Sequence, residues 1–397
     1  MSGPGHRAQR QQALTRRKLF PFAALSASYF AHIGFFNPYL PLWLKDLGLS
    51  ITLIGLLTAV QAATRVLAPY GWGWLSDYTG ERVKLLRFCA AASLFFSLGL
   101  FHQGGVWWLA LVLVLMFIHT SAMMPMSEAA LAQVVSRSGA FDAKRYGRVR
   151  LWGSLGFLVT VFVAGAWFEH QGMQSFPLWA VCSLLALNLS VWWLPDHREA
   201  ERQHSDQAPM WSVLRQRTVQ WFFATVFFHV LSHIGIYVFF SLYLDTLGYS
   251  KTMIGVLWAV SVLAEIVWFF TQGRWLPKFS LANWLLVCAA AMVLRMALTS
   301  WLADSLLALL LAQLLHALTF ATQHTVSTAV LSQHFPGRLR GRGQALYASI
   351  GYGVTGVLGA LGGGALSDAW GLSTVYTVSV GSACVACLCA WQFKRSN

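Results

Sequence analysis

Long apolar segments, separated by short polar ones, are the feature of this sequence that most restricts its fold. About twelve of them follow one another along 397 residues, and each is close to the roughly 20 residues that a helix needs to cross a bilayer core of about 30 Å. Because 57% of the residues are hydrophobic and only 11% are charged, the composition excludes an ordinary soluble domain. The sequence therefore predicts a polytopic membrane protein.

The positions of the spans follow from the apolar runs alone. The first run continues from Phe20 past Leu44, which is longer than the roughly 7 to 15 residues of a cleavable signal core, so we interpret it as a retained helix. The predicted spans are 20–44, 51–76, 83–103, 106–135, 147–168, 174–194, 218–244, 252–271, 281–302, 305–333, 344–366 and 371–392. The predicted fold class is an all-α membrane protein with twelve transmembrane helices in two pseudo-symmetric six-helix bundles.

The basic residues indicate the orientation in the membrane. If the loops alternate between two sides, one side holds nearly all Arg and Lys residues outside the spans, and the other holds only Lys45 and Lys251. Basic loops stay in the cytoplasm, so both termini and the middle loop are predicted to be cytoplasmic. The formal net charge of +14 thus reflects topology and not a nucleic-acid partner, because no basic face of a soluble domain is present to bind one.

An internal repeat divides the chain into halves. The segment HIGFFNPYLPLWLKDLGLSITLIGLLTAV, beginning at His32, resembles HIGIYVFFSLYLDTLGYSKTMIGVLWAV, beginning at His233. Between the halves lies a polar stretch typical of a solvated connector. The predicted domains are a six-helix bundle at 1–195, a cytoplasmic linker at 196–217 and a second bundle at 218–397. Parallel repeats of this kind suit alternating access around a ligand site between the halves.

Charged residues inside the apolar runs are the candidate functional groups. They are Arg65, Glu128, Arg150, Glu265 and Arg295. A charge in a span costs about 2.5 to 3.5 kcal/mol on insertion scales, so such residues face partners or a water-filled cavity. Arginine suits a carboxylate ligand because its planar fork can bond both oxygens, and a buried carboxyl group can hold a proton. Structural ion pairs are the alternative interpretation.

The repeat register places Arg65 and Glu265 at equivalent positions, where they could face one cavity. Six histidines, at positions 32, 119, 229, 233, 316 and 324, are titratable neighbours of the charged residues, and any of them could instead be a hydrogen-bonded core residue. A metalloenzyme using the His229–His233 pair is an alternative from a different class, as is a sensor without transport. Motifs of metalloproteases, ATP-driven pumps and hydrolases are missing, and we predict neither a cofactor nor a metal.

The end of the second predicted span carries a recognisable loop motif. The sequence Gly73-Trp-Leu-Ser-Asp77-Tyr-Thr-Gly80-Glu-Arg82-Val-Lys84 resembles the cytoplasmic loop motif of the major facilitator superfamily. The resemblance implies that fold and a gating role for Gly73, Asp77, Gly80, Arg82 and Lys84. A second copy of the motif, near Gly273, is degenerate.

Within that superfamily the chain resembles the branch of lactose and phenylpropionate permeases. The resemblance rests on Pro125-Met-Ser-Glu128, Tyr146-Gly-Arg-Val-Arg150-Leu-Trp-Gly153, Ala264-Glu265, Arg295 and His316. Where the lactose carrier has a lysine and a glutamate on either side of the histidine, this sequence has Gln313 and Thr319, which favours the phenylpropionate permeases. Aromatic residues that could stack on a substrate ring are Tyr29, Phe36, Phe157, Tyr237 and Phe240.

The resemblance implies a secondary transporter in a bacterial inner membrane that takes up a small, aromatic carboxylate such as 3-phenylpropionate with protons. The predicted substrate-binding residues are Arg65, Glu128, Arg150, Phe157, His233 and Arg295, and the predicted proton-coupling residues are Glu265, His316 and Glu128. The expected partners are the substrate, protons and the lipid bilayer, with the protein acting as a monomer. A proton-coupled sugar or nucleoside symporter and a drug or metabolite exporter are the alternative functions.

Overall fold

The computed structural model describes residues 4–102, 104–137, 140–141, 143–195, 210–335 and 339–396. In them the chain is helical apart from loops and one antiparallel pair of two-residue strands, β1 (Ser136–Arg137) and β2 (Ala140–Phe141). The α-helices are α1 (Pro4–Asp46), α2 (Ile51–Thr79), α3 (Arg82–Ser97), α4 (Gly105–Val135), α5 (Ala143–Gln171), α6 (Phe176–Trp192), α7 (Met210–Leu214), α8 (Arg217–Thr246), α9 (Lys251–Trp275), α10 (Leu281–Trp301), α11 (Leu306–Leu314), α12 (Gln323–His334), α13 (Leu339–Ala348), α14 (Thr355–Trp370) and α15 (Leu372–Ser396).

Twelve helical segments in the described part of the chain are long and apolar enough to cross a membrane. Helices α1–α6, α8–α10 and α15 each supply one, and the tenth and eleventh segments each join two α-helices through a π-helical turn, Ala317–Thr322 and Ser349–Val354. The predicted all-α, twelve-span fold is confirmed. The eighth span, predicted to end at residue 271, continues to Lys278, where Pro277 stands in a closing 3₁₀ turn because it cannot extend a helix.

The predicted linker at 196–217 lies partly outside the described residues, which resume at position 210. From there, α7 forms a single short helical turn before α8 begins at Arg217. The end of the predicted linker is therefore helical.

Packing divides the described residues into two compact units. The first takes its residues from 1–36, 67–160 and 175–203, and the second from 37–66, 161–174 and 204–397. In the first unit the rings of Phe35, Phe36 and Phe176 pack together, with centroids 5.1 to 5.9 Å apart. In the second unit Phe222 and Phe393 belong to a buried apolar cluster. Each unit thus has its own core.

The sequence repeat produces the same turn twice. After α1, Gly48 has φ 83° and the amide of Leu49 donates to the carbonyl of Leu44, and after α8 Gly248 and Tyr249 repeat this geometry. The positive φ suits glycine, and the paired hydrogen bonds cap the carbonyl end of each helix. A serine then caps the next helix, as Ser250 Oγ does by accepting from the amide of Met253.

Within the second unit, residues of the two sequence halves contact each other at these turns. Lys45 Nζ lies 2.9 Å from Asp245 Oδ2, and these two residues occupy equivalent positions of the repeat. The first amides of α2 and α9 are capped by carboxylates from the other half: Asp368 Oδ2 accepts from Thr52 N at 3.0 Å, and Glu169 Oε2 accepts from Lys251 N at 2.5 Å. We call these three contacts the inter-half latch. Carboxylates are favourable at helix N-termini because they complement the exposed amides and the helix dipole.

Close backbone packing accompanies the latch. A Cβ added to Gly55 would lie 2.5 Å from the carbonyl oxygen of Ala360, and one added to Gly255 would lie 2.8 Å from that of Val161. Because real Cβ atoms do not approach a carbonyl oxygen so closely, both positions require glycine in this arrangement.

Candidate substrate and proton site

Arg295 on α10 is fully buried, and its hydrogen-bonding partners are neutral side chains. Two of them are histidines: His233 on α8, and His316 directly before the π turn. Arg295 Nη1 lies 3.1 Å from His233 Nε2 and 3.1 Å from His316 Nδ1, and it donates to Thr319 Oγ1 at 2.9 Å. Its Nη2 donates to Gln313 Oε1 at 3.1 Å. We call these five residues the Arg295 cluster.

The hydrogen-bonding chemistry of arginine restricts how the two histidines can be protonated. A guanidinium group can only donate, so a histidine nitrogen that takes one of the two Nη1 protons is an acceptor, and a neutral imidazole in that role carries its own proton on the other nitrogen. For His316 that nitrogen is Nε2, which lies 3.5 Å from Glu265 Oε2 on α9. Glu265 is therefore linked to Arg295 through one imidazole ring.

The positive charge of Arg295 has no direct counter-charge. Among the described residues, no carboxylate forms an ion pair with it, and its Nε atom is buried without a hydrogen-bond partner, as is Gln313 Nε2. A buried cation without a carboxylate is costly, and neutral acceptors offset only part of that cost. The nearest compensation is Glu265, whose side chain is 18% exposed.

A π-helical turn shapes this part of the site. It spans Ala317–Thr322, directly after His316, and Thr322 Oγ1 donates to the carbonyl of Ala317, five residues earlier. The π turn contains Thr319, one of the Arg295 ligands, and Phe320, whose ring stacks on His316 at 5.0 Å. Such turns are rare in proteins, and many of those that occur lie at functional sites. They locally change which side chains share a helix face.

Arg65 on α2 and Glu265 on α9 belong to the same unit as Tyr237, and their charges contribute to the electrostatic surroundings of its phenol. Both lie close enough to Tyr237 to interact electrostatically with it, as does Arg295. The ring of Tyr237 stacks on His233 with centroids 4.5 Å apart. The side chain of Arg65 is exposed and, among the described residues, has no ion-pair partner. Arg65 and Glu265, which occupy equivalent positions of the repeat, thus belong to the electrostatic surroundings of one phenol and do not form an ion pair with each other.

Glu128 and Arg150 form a separate pair in the first unit. Arg150 Nη1 donates to Glu128 Oε1 at 2.7 Å, and its guanidinium lies 5.0 Å from the ring centre of Phe30. The two side chains are 39% and 35% exposed. Phe157, the other predicted binding residue in this unit, is partly buried, and its backbone packs against Gly34. This pair is internally neutralised, whereas Arg295 is not.

Three further histidines of the predicted set each have one hydrogen-bonding partner in their own surroundings. His32 Nδ1 lies 2.8 Å from Ser183 Oγ, His119 Nδ1 lies 2.6 Å from the carbonyl of Leu115, and His229 Nε2 lies 2.7 Å from the carbonyl of Thr319. In the part of the chain that the structure describes, no group of three or more His, Cys, Asp or Glu side chains could hold a metal ion. His229 instead supports the π turn.

The predicted gating motif forms the turn between α2 and α3. Gly80 has φ 67°, and Arg82, which is almost completely buried, donates from Nε to Ser76 Oγ at 3.2 Å. Lys84 Nζ lies 2.8 Å from Glu81 Oε1, whereas Gly73 lies where a Cβ would meet no other atom. The side chain of Asp77 lies outside the described residues, so its gating role stays a prediction.

A sequence model of the MFS_1 like family matches residues 24–378, which is most of the chain and includes every residue of the site described above. The protein belongs to the MFS_1-like family. The family and the relatives are transporters, so this multi-pass membrane protein is a transporter of the major facilitator type.

The chain is similar in sequence to two known transporters over most of its length. The probable 3-phenylpropionic acid transporter of Escherichia coli (strain K12) is 27% identical over 329 residues, which are 82% of this chain and 85% of that one. The maltose permease of Geobacillus stearothermophilus is 24% identical over 371 residues, which are 92% of this chain and 91% of that one.

Solved transporters have the same fold at lower identity. The nucleoside transporter NupG superposes with a TM-score of 0.80 at 14% identity and covers 95% of this chain and 98% of its own. A bacterial homologue of the human lysosomal transporter Spinster, in an inward-facing and unoccupied conformation, superposes with a TM-score of 0.74 at 16% identity and covers 96% of this chain and 98% of its own. These similarities establish the fold of the MFS_1-like chain.

Gln313 and Thr319, which stand out in the sequence only as departures from the lactose carrier, are both ligands of Arg295. Their spacing of three residues on either side of His316 was the available signal, because residues three apart share one face of a helix. The π turn itself left no recognisable pattern in the sequence.

Proposed function

We propose that this MFS_1-like protein is a proton symporter that takes up a small aromatic carboxylate, with 3-phenylpropionate as the reference substrate, across a bacterial inner membrane by alternating access. In this proposal Arg65, Arg150 and Arg295 attract or bind the carboxylate, and Glu265, His316 and Glu128 are the protonatable groups. The observation that carries the proposal is the buried Arg295, whose ligands are all neutral.

The geometry supports a specific coupling scheme. While Glu265 is ionised, it compensates Arg295 through the imidazole of His316, whose Nε2 lies 3.5 Å from Glu265 Oε2. When Glu265 takes up a proton, this compensation ends and the positive charge of Arg295 favours a bound anion. A bound proton and a bound carboxylate together leave the net charge of the site unchanged. The loaded site can therefore change its access from one side of the membrane to the other at a lower electrostatic cost than a site that holds only one of the two.

Arg65 gives the substrate a route to this charge. It is exposed, unlike Arg295, and both arginines interact with the phenol of Tyr237. The substrate carboxylate meets Arg65 first, and its ring packs near the stacked rings of Tyr237 and His233. The similarity to the probable 3-phenylpropionic acid transporter supports the choice of an aromatic carboxylate.

The inter-half latch defines one stage of the transport cycle. With both termini in the cytoplasm, the latch lies on the periplasmic side, because Lys45 and Lys251 are in the loops opposite the basic ones. In this proposal the latch holds the turns of the two sequence halves together on that side. Substrate entry requires the three latch contacts to open.

Uptake of labelled 3-phenylpropionate into proteoliposomes tests the proposal. We expect an outward-acid pH gradient to drive accumulation, and one-to-one symport of a proton with a monoanion to be insensitive to a potential imposed with valinomycin. Glu265→Gln should abolish gradient-driven accumulation but retain exchange. Asp304→Asn, which changes an exposed acid outside the spans, is the matched control and should transport normally.

Two results would reject the proposal at different levels. If no carboxylate is transported while sugars or nucleosides are, the substrate class is wrong. If the carboxylate moves but accumulation ignores the pH gradient, proton coupling is wrong.

A neutral-substrate symporter is the second candidate, favoured by the Glu128–Arg150 pair. Such a pair offers both an acceptor and donors, which suits hydroxyl groups, and Arg150 can bind a carboxylate only if it releases Glu128. The similarity to the maltose permease supports this alternative. Inhibition of uptake by neutral sugars, and not by aromatic carboxylates, would favour it.

A further inference from the structure

The end of α15 lies against the beginning of α8. Thr218 Oγ1 donates to the carbonyl oxygen of Ser396 at 2.8 Å. This bond brings the basic residues on either side of it together, all four of them exposed: Arg215, Arg217, Lys394 and Arg395. We call these four residues, with Trp211 and Trp391, the basic corner.

Among the described residues, no acid neutralises the positive charge of the basic corner. Neither segment 210–220 nor segment 390–396 contains Asp or Glu, and among the described residues none of the four cations forms an ion pair. Arg217 is also the first residue of α8, where the helix dipole disfavours a cation. By contrast, Lys84 at the turn between α2 and α3 is paired with Glu81.

Apolar and aromatic surface adjoins these charges. A cleft of about 370 Å³ is lined by Trp211, Leu214, Arg215 and Gln220, and Trp211 is 75% exposed. On α15 the guanidinium of Arg395 lies 4.7 Å from the ring centre of the half-exposed Trp391. Indole rings favour the headgroup region of a bilayer, and arginine and lysine there attract anionic lipids.

We propose that the basic corner binds the headgroup of an anionic phospholipid, with the phosphodiester on Arg215 and Arg217 and the adjoining lipid surface against Trp211 and Leu214. Charge complementarity selects this occupant. Four cations that have no ion-pair partner among the described residues repel the amine of a zwitterionic headgroup, whereas a headgroup with a net negative charge is attracted by all four. The proposal is independent of the transported substrate. The corner faces the cytoplasmic leaflet in the orientation proposed above.

Native mass spectrometry of the full chain in detergent tests the proposal, with phosphatidylglycerol and phosphatidylethanolamine as competing probes. A cation that contacts the bound headgroup contributes about fivefold to anionic lipid affinity, so Arg215→Gln combined with Arg217→Gln should weaken phosphatidylglycerol binding about 25-fold. Arg274→Gln combined with Lys278→Gln removes two basic residues beside Trp275 on the same predicted side and serves as the matched control. It should leave that affinity within about twofold.

Three outcomes would overturn the proposal. They are equal binding of the two lipids by the unmodified protein, an equal loss in the control variant, and displacement of phosphatidylglycerol by millimolar inorganic phosphate, which would indicate a site for free anions. The double variant's fold is checked by its thermal unfolding, and an Arg215→Lys, Arg217→Lys variant should recover most of the affinity if it unfolds like the unmodified protein.

Discussion

Arg150 and Arg295 are both arginines in apolar sequence, yet their surroundings differ fundamentally. Arg150 is partly exposed and is neutralised directly by Glu128 at 2.7 Å, whereas Arg295 is fully buried and held by histidine, threonine and glutamine side chains. A self-compensated pair has little need of a charged ligand. An uncompensated buried cation, linked through His316 to a single carboxylate, responds electrostatically to any proton or anion that arrives.

The largest difference between the two arginines is expected in how much a substitution by lysine lowers the uptake rate. Arg295→Lys should lower the initial uptake rate at least about 100-fold, because an ammonium group cannot reproduce the forked contacts to four side chains. Arg150→Lys should lower it less than about fivefold, because lysine can keep a partly exposed ion pair. Uptake assays normalised to inserted protein measure both. Equal losses would remove the distinction between the sites.

Introducing a carboxylate beside Arg295 should make it resemble Arg150. In Gln313→Glu the new carboxylate replaces an amide oxygen 3.1 Å from Nη2 and neutralises the guanidinium, so the KM for an aromatic carboxylate should rise about tenfold. Gln313→Leu is the control, because it removes the hydrogen-bond acceptor and leaves the charge. It should reduce thermal stability with a smaller change in KM. An unchanged KM in Gln313→Glu would show that the charge of Arg295 does not attract the substrate.

The inter-half latch should contribute less than either site. Asp368→Asn and Glu169→Gln each keep an acceptor oxygen but remove its negative charge, which is worth about 0.3 to 1 kcal/mol at a helix N-terminus, so each should favour opening at the latch about two- to fivefold. Spin labels at Leu47 and Leu247, in a background lacking the six native cysteines, report the separation of the two turns. More long distances are expected in both variants than in Asp46→Asn, which changes a neighbouring exposed acid. A distance distribution that does not change would show that the caps do not hold the two turns together.

The smallest effect is expected from the Glu128–Arg150 ion pair. A double-mutant cycle of Glu128→Gln and Arg150→Gln should give a coupling free energy of unfolding between about 0 and 1 kcal/mol, because solvent screens both side chains. Thermal or denaturant unfolding in detergent measures it. A coupling free energy several times larger would mean that the pair is a structural element comparable to the Arg295 cluster.

Much of the fold could be predicted because bilayer thickness imposes span length directly on the sequence. The repeat from His32 and His233 likewise predicted related structures, and Gly48 and Gly248 adopt the same φ of 83°. The eighth span was predicted to end too early, because the sequence becomes less apolar before the helical backbone ends near Pro277. Span termini depend on individual turns more than on hydropathy.

The site was less predictable than the fold. Intramembrane charge identified Arg295 and Glu265, because desolvation makes such residues conspicuous in any apolar run. Their connection through His316 depends on tertiary packing, and Thr319, one of the Arg295 ligands, lies in a π turn that hydropathy does not encode. The Glu128–Arg150 pair shows the same limit, since the residues are 22 positions apart and pair through tertiary packing.

Proton uptake on substrate binding tests the central claim most directly. Adding 3-phenylpropionate to purified protein in weakly buffered detergent, at a pH where the unliganded protein keeps Glu265 ionised, should alkalinise the medium by up to about one proton per bound anion, because anion binding at Arg295 favours protonation of that carboxylate. By the same linkage, affinity for the anion should rise as pH falls. Glu265→Gln should bind the anion without alkalinisation and without this pH dependence. Binding without proton uptake in the unmodified protein, or equal uptake in the Glu265→Gln variant, would contradict the account.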